Sequence, residues 1–564
     1  MTESECRPMI LSEDYADFII EYGGDAVSVA DRYDAKCLQV INSRYVVIHI
    51  PVSRMNEVTR FAYNAVPKLY GLMDTTSMDA SGITRLHRQP YLSLKGSGIL
   101  IGIVDTGIDY THPVFLQADG TTRIVRLWDQ NIQDGTMPEG IFYGTEYTQE
   151  MINEALASDN PYDIVPSKDE LGHGTVLAGI AAGSEDKAND FTGAAPLAAI
   201  GIVKLKPAKG YLRSYNLVKA DVPAFQENDI MMGIKYLTDT ARSLGMPLVI
   251  CIGVGTSSGD HNGLSYLNSY MNDTGSLRGC CMVSACGNEG NENGHYFGQL
   301  TKDKTYEEVE VRADSSENGF TIELWGRTPD IFSIGIVTPL GERIERIPPR
   351  YGQVQTIDFV LEPTEIFVQY KLVESSSGDA LIVMRFQNPT SGVWTIRVYG
   401  ENLVYGTYNM WLPISQFLQE GTYFLKPNPD FTITSPGDTE TSVNVAAYNH
   451  NNDSIYYASG RGFTPSGRIT PDIAAPGVNV FSPVVGGGFG VRSGTSVAAA
   501  HAAGAAALLM EWGIYLRNNL NMDTTEIKKY LIRGAQRKAE LVYPNTLWGF
   551  GTLDLYNVFQ SLTT

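Results

Sequence analysis

An acid, an imidazole and a hydroxyl occur in that order along the chain, each inside a short glycine-containing segment: Asp105-Thr-Gly-Ile-Asp109, Gly172-His173-Gly174-Thr175 and Ser493-Gly-Thr-Ser496-Val-Ala-Ala. Together these groups can run acyl transfer. The hydroxyl attacks a carbonyl, the imidazole takes and returns the proton near neutral pH, and the carboxylate holds the imidazole tautomer. Asp…His…Ser is one of three unrelated chain orders in which proteins build this constellation. A fourth piece, Asn288 in Ser284-Ala-Cys-Gly-Asn-Glu-Gly290, offers a side-chain amide that can donate to an oxyanion. Each has an ordinary explanation alone. Asp105 can form a turn, His173 can cap a helix or fill a core, Ser496 can be an N-cap, and Asn288 can sit in a glycine-rich turn. The conjunction points to chemistry.

These groups need elements to hold them. The apolar run Ile99–Val104 reads as a strand buried on both faces, which delivers Asp105 at its carboxyl end, where open α/β sheets collect reacting groups. Similar runs are Ala199–Leu205, Pro247–Val254 and Cys280–Ala285. Helical stretches fall at His173–Ala182, Asp229–Leu244 and Ser496–Leu516. The alternation predicts an α/β fold with a mostly parallel sheet. The Ser496 helix is rich in Ala and Gly. It can pack deep and offer unpaired N–H groups to developing negative charge.

Between about 305 and 425 the period changes to strand alternation, at Glu307–Val311, Thr321–Trp325, Ser333–Thr338, Glu365–Tyr370, Ala380–Phe386 and Trp394–Tyr399. This predicts an all-β insertion built as a two-sheet sandwich. Residues 1–75 read as a small α/β unit, with a strand at Arg44–Pro51, a helix at Ser53–Val66 and an extended Pro67–Leu72. The expected organisation is therefore residues 1–75, a core at 76–305, the sandwich at 306–430 and the rest of the core at 431–564.

Hydrophobic residues make up 43% of the 564 and charged ones 19%, the balance of a globular protein of several domains. A net charge of −21 disfavours nucleic acid or an anionic membrane as partner. Six cysteines, none at zinc spacing with His, read as buried free thiols in a reducing compartment. No signal peptide is read at the start and no run of about 18 apolar residues is found, so the expected location is the cytoplasm or a spore assembled from it.

The four motifs together resemble the subtilisin-like serine proteases, or subtilases, over roughly residues 95–295 and 430–560, including Gly549-Phe-Gly-Thr-Leu-Asp554. The resemblance implies a subtilisin-like parallel sheet with helices on both faces. It casts Ser496 as nucleophile, His173 as general base and then acid, and Asp105 as the orienting carboxylate. Asn288 and the Ser496 N–H would form the oxyanion hole. Gly253-Val254-Gly255 would be an edge strand pairing with substrate, and Ala285-Cys286-Gly287 the opposite wall of the specificity pocket. Two departures stand out: Gly253 where the family often has Ser, and Ala500 before His501 where it usually has Pro.

The layout is similar to a narrower group, the Csp germination proteases of spore-forming anaerobes, which combine a prodomain, a subtilase core and an inserted jelly roll. A gap of 208 residues between Asn288 and Ser496 leaves room for that insertion. That group includes pseudoproteases lacking triad residues; this chain keeps all three. The resemblance implies a monomeric serine endopeptidase acting on protein or peptide substrates. It would be made as a zymogen that cuts itself between Leu69 and Ala80, with Tyr70–Thr76 entering the active site and the prodomain serving as intramolecular inhibitor. A spore-germination hydrolase is the implied substrate. A general intracellular protease, a serine esterase or amidase, and a non-catalytic scaffold are the alternatives. No cofactor is expected. Structural calcium is common in the family, and the acidic loops here give no ligand set that assigns it.

Overall fold

The computed structural model describes residues 3–55, 63–70, 79–87, 89, 92–350 and 354–562. At its centre is a nine-stranded sheet. Its order is Ser454–Ile455, Val443–Asn449, Cys280–Ala285, Leu248–Ile252, Leu100–Asp105, Ala199–Lys204, Ile124–Asp129, Thr145–Thr148, with Ile473–Pro476 also paired to Val443–Asn449. All pairs are parallel except those made by the two edge strands, Ser454–Ile455 and Thr145–Thr148. After Leu100–Asp105 the chain first builds the side holding Ile124–Asp129 and Ala199–Lys204. It then crosses to the side holding Leu248–Ile252, Cys280–Ala285 and Val443–Asn449. The order reverses at Leu100–Asp105, and the crevice beyond the carboxyl ends at such a reversal is where α/β sheets bind ligands.

Helices cover both faces. One face carries His173–Ala182 and Thr495–Met510, whose residues are all buried. The other carries Glu227–Leu244 and Tyr266–Gly275. The serine helix runs on through a π-helical turn at Glu511–Tyr515. The stretch Thr495–Tyr515 is long and apolar enough to cross a membrane by composition, and 89% of its apolar window is buried inside the protein. The expectation that no such run exists is thus corrected: this is the central core helix, apolar because all of Thr495–Met510 is buried.

The N-terminal unit has more elements than the sequence pattern suggested. A three-stranded antiparallel sheet, Tyr15–Glu21, Tyr45–Pro51 and Cys37–Val40, is accompanied by helices Glu3–Leu11 and Ala26–Tyr33. The strand Tyr15–Glu21 shows no alternation because both faces are covered. Phe18 and Ile20 pack on Val29 and Ala30 of the unit's own helix, while Ile19 joins Tyr45, Val47, Met231, Ile234 and Tyr270. Half of the expected helix Ser53–Val66, residues 56–62, lies outside the described residues; its ends are single 3-10 turns at Val52–Arg54 and Tyr63–Ala65. Cys6 and Cys37 form a disulfide, which corrects the reading of six free thiols. The remaining four cysteines are free and buried. Burial pushes the Cys280 thiol up to about 11 and those of Cys251, Cys281 and Cys286 higher, so they are unreactive.

The insertion is an antiparallel sandwich of six- and five-stranded sheets around Phe320, Phe386 and Trp394. It begins at His295–Gln299, earlier than expected. Arg343–Ile347 and Val354–Asp358 gave no signal because both are edge strands whose side chains are mostly exposed or half-buried. The sandwich also reaches the N-terminal unit: the Tyr63 hydroxyl donates to Glu323, and the Asn64 amide donates to Ser376 Oγ at 2.6 Å.

Candidate active site

Asp105 ends the strand at which the sheet order reverses, fully buried. Its Oδ1 accepts from its neighbour's N–H, Thr106, at 2.8 Å and from His173 Nδ1 at 2.7 Å. That carboxylate fixes the tautomer: Nδ1 carries the proton and Nε2 is left to accept. Ser496 Oγ donates to His173 Nε2 at 3.0 Å. Asp105, His173 and Ser496 come from positions up to 391 residues apart in the chain. The structure joins them in one hydrogen-bonded line.

Local structure explains the placement. His173 is the first residue of its helix, after Gly172 at φ 78°. Gly174 follows because the helix end presses onto the turn after Asp105: a Cβ there would stand 2.1 Å from the Gly107 carbonyl oxygen. Gly253, beyond the carboxyl end of Leu248–Ile252, sits beside the same pair. A Cβ at 253 would stand 3.1 Å from His173 Cε1 and 3.2 Å from Asp105 Oδ2. Asp105 Oδ2 has no hydrogen-bond partner among the described residues.

Ser496 is the second residue of the helix Thr495–Met510, whose N-cap is Gly494 without a side-chain cap. Its N–H belongs to the first turn, where the helix supplies no acceptor. Ala500 in place of the family's Pro leaves the helix unbroken. His501 Nδ1 donates to the Val497 carbonyl at 2.8 Å, and burial lowers this imidazole to about 3, so it stays neutral.

Asn288 is oriented by a residue that sequence reasoning missed. Its Oδ1 accepts from Thr495 N and Thr495 Oγ1, both at 3.1 Å, and Thr495 Oγ1 accepts from Gly287 N at 3.0 Å. With the amide oxygen engaged at the serine helix, Nδ2 is the end left to act as donor. The only sequence hint was that Thr495 adjoins Ser496.

Beside Asn288 lies a cavity of about 160 Å³ lined by Gly255, Glu289, Ser415, Thr434, Tyr456 and Tyr457, among others. Of the pocket residues expected from sequence, Gly255 lines it. Ala285, Cys286 and Gly287 are buried and do not; the Cys286 and Gly287 carbonyls instead accept from Thr434 N at 3.1 Å and Gly460 N at 2.7 Å. Glu289 is 9% exposed and its carboxylate accepts from Ser415 N and Oγ. Burial lifts it to about 7. No cluster of His, Cys, Asp and Glu suited to a metal ion occurs among the described residues.

The model of the subtilase family matches residues 96–345 and 420–551. The chain belongs to the subtilase family. As a subtilase it is similar in structure to the CspB protease of Clostridium perfringens, with a TM-score of 0.76 and 33% identity, covering 86% of this chain and 97% of that one. In sequence it is similar to the C5a peptidase of Streptococcus pyogenes serotype M6, 21% identical over 453 residues, and to the serine protease AprX of Bacillus subtilis, 33% identical over 146 residues. These matches cover 74% and 22% of this chain, and 34% and 31% of those relatives, so the chain spans about a third of the length of the curated relatives it matches. The match to the family model breaks between 346 and 419, inside the sandwich. This subtilase carries the nucleophile, base and acid types of a serine-type endopeptidase.

Proposed function

We propose that this subtilase is a serine endopeptidase made as a self-processing precursor. The observation that carries the proposal is the line Ser496 Oγ, His173 Nε2, His173 Nδ1, Asp105 Oδ1 at 3.0 and 2.7 Å, set at a helix N-terminus beside Asn288. Ser496 attacks the scissile carbonyl as His173 takes its proton, and Asp105 stabilises the imidazolium. Asn288 Nδ2 and the Ser496 N–H hold the oxyanion. His173 returns the proton to the leaving amine, and water then hydrolyses the acyl-enzyme. The strand Leu248–Ile252 ends just before Gly253-Val254-Gly255, beside the reacting groups, a place that suits an extended peptide rather than a small ester.

The precursor reading is supported by the strand Leu69–Tyr70, which pairs with Phe225–Gln226. The chain past Tyr70 is outside the described residues through 78, and most of the expected cut region between Leu69 and Ala80 falls there. Ser496 is fully buried and His173 is 7% exposed, as a covered site would be. The N-terminal unit acts as prodomain and inhibitor, and the sandwich, a jelly roll in the related Csp group, buttresses both. Similarity to the CspB protease extends the proposal to a spore-germination hydrolase as substrate and to a cytoplasmic or spore location. The deciding experiment compares intact masses of the parent chain and Ser496→Ala. The parent loses about 70 to 80 N-terminal residues and the variant stays whole. A parent chain that stays whole while its serine reacts with a fluorophosphonate refutes self-processing, and a parent with neither reaction nor peptide turnover refutes the protease.

A further inference from the structure

The helix that starts at His173 has no side-chain N-cap, because its N-cap is Gly172. The N–H groups of Gly172, Gly174 and Thr175 nevertheless have partners, supplied from outside the helix. Asp169, 4% exposed, accepts from Gly172 N at 2.8 Å with Oδ1 and from Thr175 N at 2.8 Å with Oδ2. Thr175 Oγ1 also donates to Oδ2 at 2.7 Å. The fourth partner is on another element: Thr106 Oγ1 donates to Asp169 Oδ1 at 2.7 Å and accepts from Gly174 N at 2.9 Å. Thr106 is the residue after Asp105 and donates its own N–H to the Asp105 carboxylate.

A capping carboxylate needs only the helix N–H groups. This one spends a quarter of its hydrogen bonds on the turn that carries the acid. The link runs from Asp105 through Thr106 and Asp169 to both sides of His173, so the imidazole and its carboxylate partner are held by one rigid, buried clasp. We propose that Asp169 is a positioning residue for the His173–Asp105 pair, an inference that rests on the protease reading above. It sets the imidazole where a proton can pass in line from Ser496, and its removal lowers turnover without touching substrate binding. Misplacing reacting groups by about 1 Å costs on the order of 10²-fold in rate.

The test uses the full chain with Asp169→Asn, Thr106→Val and the double variant. The Asn side chain keeps the shape and turns an NH2 toward the Thr175 N–H; Val keeps the shape of Thr and lacks the hydroxyl. Two readouts are taken: kcat and KM on a peptide, normalised to serine titrated by a fluorophosphonate, and the His173 Nδ1 proton resonance by NMR. Each single variant is expected to lose about 10- to 100-fold in kcat with KM within about twofold, and to broaden or shift the Nδ1 resonance. The double variant should lose no more than the worse single one, because both break the same clasp. Normalised kcat near the parent's, losses that multiply, or activity that falls only with the titratable fraction would each overturn the proposal. If Asp169→Asn does not fold, Thr106→Val decides. If the parent has no turnover, the protease reading fails and the NMR signal alone decides the clasp.

Discussion

Replacing Thr495 by Val isolates how Asn288 is held. The substitution keeps the side-chain shape in a fully buried position and removes one hydroxyl. Among the described residues that hydroxyl donates to Asn288 Oδ1 at 3.1 Å and accepts from Gly287 N at 3.0 Å. The Gly287 N–H is left buried without its acceptor, which costs about 1–3 kcal/mol of stability. Asn288 Oδ1 keeps the Thr495 backbone N–H, so the amide loses one of two tethers rather than both. Losing a whole oxyanion donor costs about 10²–10³ in kcat; half-freeing it should cost about 10-fold, or ~1.4 kcal/mol. KM should not change, because the oxyanion exists only in the transition state. The assay is peptide turnover per titrated serine, repeated in an Asn288→Ala background, where Thr495→Val should then cost under about twofold. An equal 10-fold loss in that background, or a rise in KM at constant kcat, would refute the argument that Thr495 acts through the amide.

Gly174→Ala should be far more damaging than a glycine-to-alanine change in an ordinary helix. Its Cβ meets the Gly107 carbonyl oxygen at 2.1 Å, so the histidine helix must back away from the acid strand. Peptide turnover should fall about 100-fold, with about 1–3 kcal/mol lost in denaturant unfolding. Glu289 offers a pH test. Burial raises it from 4.5 to about 7, so the uncharged form is favoured in the fold. Its stabilisation is fully present below pH 4.5 and is lost as pH rises through 7. Glu289→Gln should therefore be more stable than the parent at pH 8, by up to about 3 kcal/mol, and match it near pH 4.5. A stability difference that does not change with pH, measured by urea unfolding, would count against this.

Much of the layout around Asp105, His173 and Ser496 was legible because it rests on residue type and local period. Ile99–Val104 and Cys280–Ala285 are apolar runs that only a two-faced burial explains, and the histidine helix spans His173–Ala182 as its pattern implied. The sandwich strands announced themselves where one face is wet, as in Ala380–Gln387. What stayed hidden depends on partners distant in sequence. Tyr15–Glu21 is covered on both faces by two different bodies, so it has no alternation to read. Pairing of Cys6 with Cys37 follows from the fold of the small sheet and not from spacing. Thr495 and Asp169 act through side-chain bonds to backbone groups of other elements, and nothing in their neighbours' identities signals those bonds.

The face between the N-terminal unit and the core contains ions as well as apolar side chains. Asp17, 1% exposed, receives Lys209 Nζ at 2.7 Å, His49 Nδ1 at 2.7 Å and Gln226 Nε2 at 2.9 Å, and Lys206 Nζ lies 2.6 Å from Asp229 nearby. The neighbouring cations and the imidazole hold the Asp17 carboxyl far below the usual range despite its burial. A foreign N-terminal unit of the same shape but without this carboxylate would leave Lys209 enclosed with no counter-charge, a penalty that good apolar fit does not remove. The two parts are therefore matched like lock and key by charge. A unit exchanged into this chain needs an acid at this spot to keep Lys209 paired.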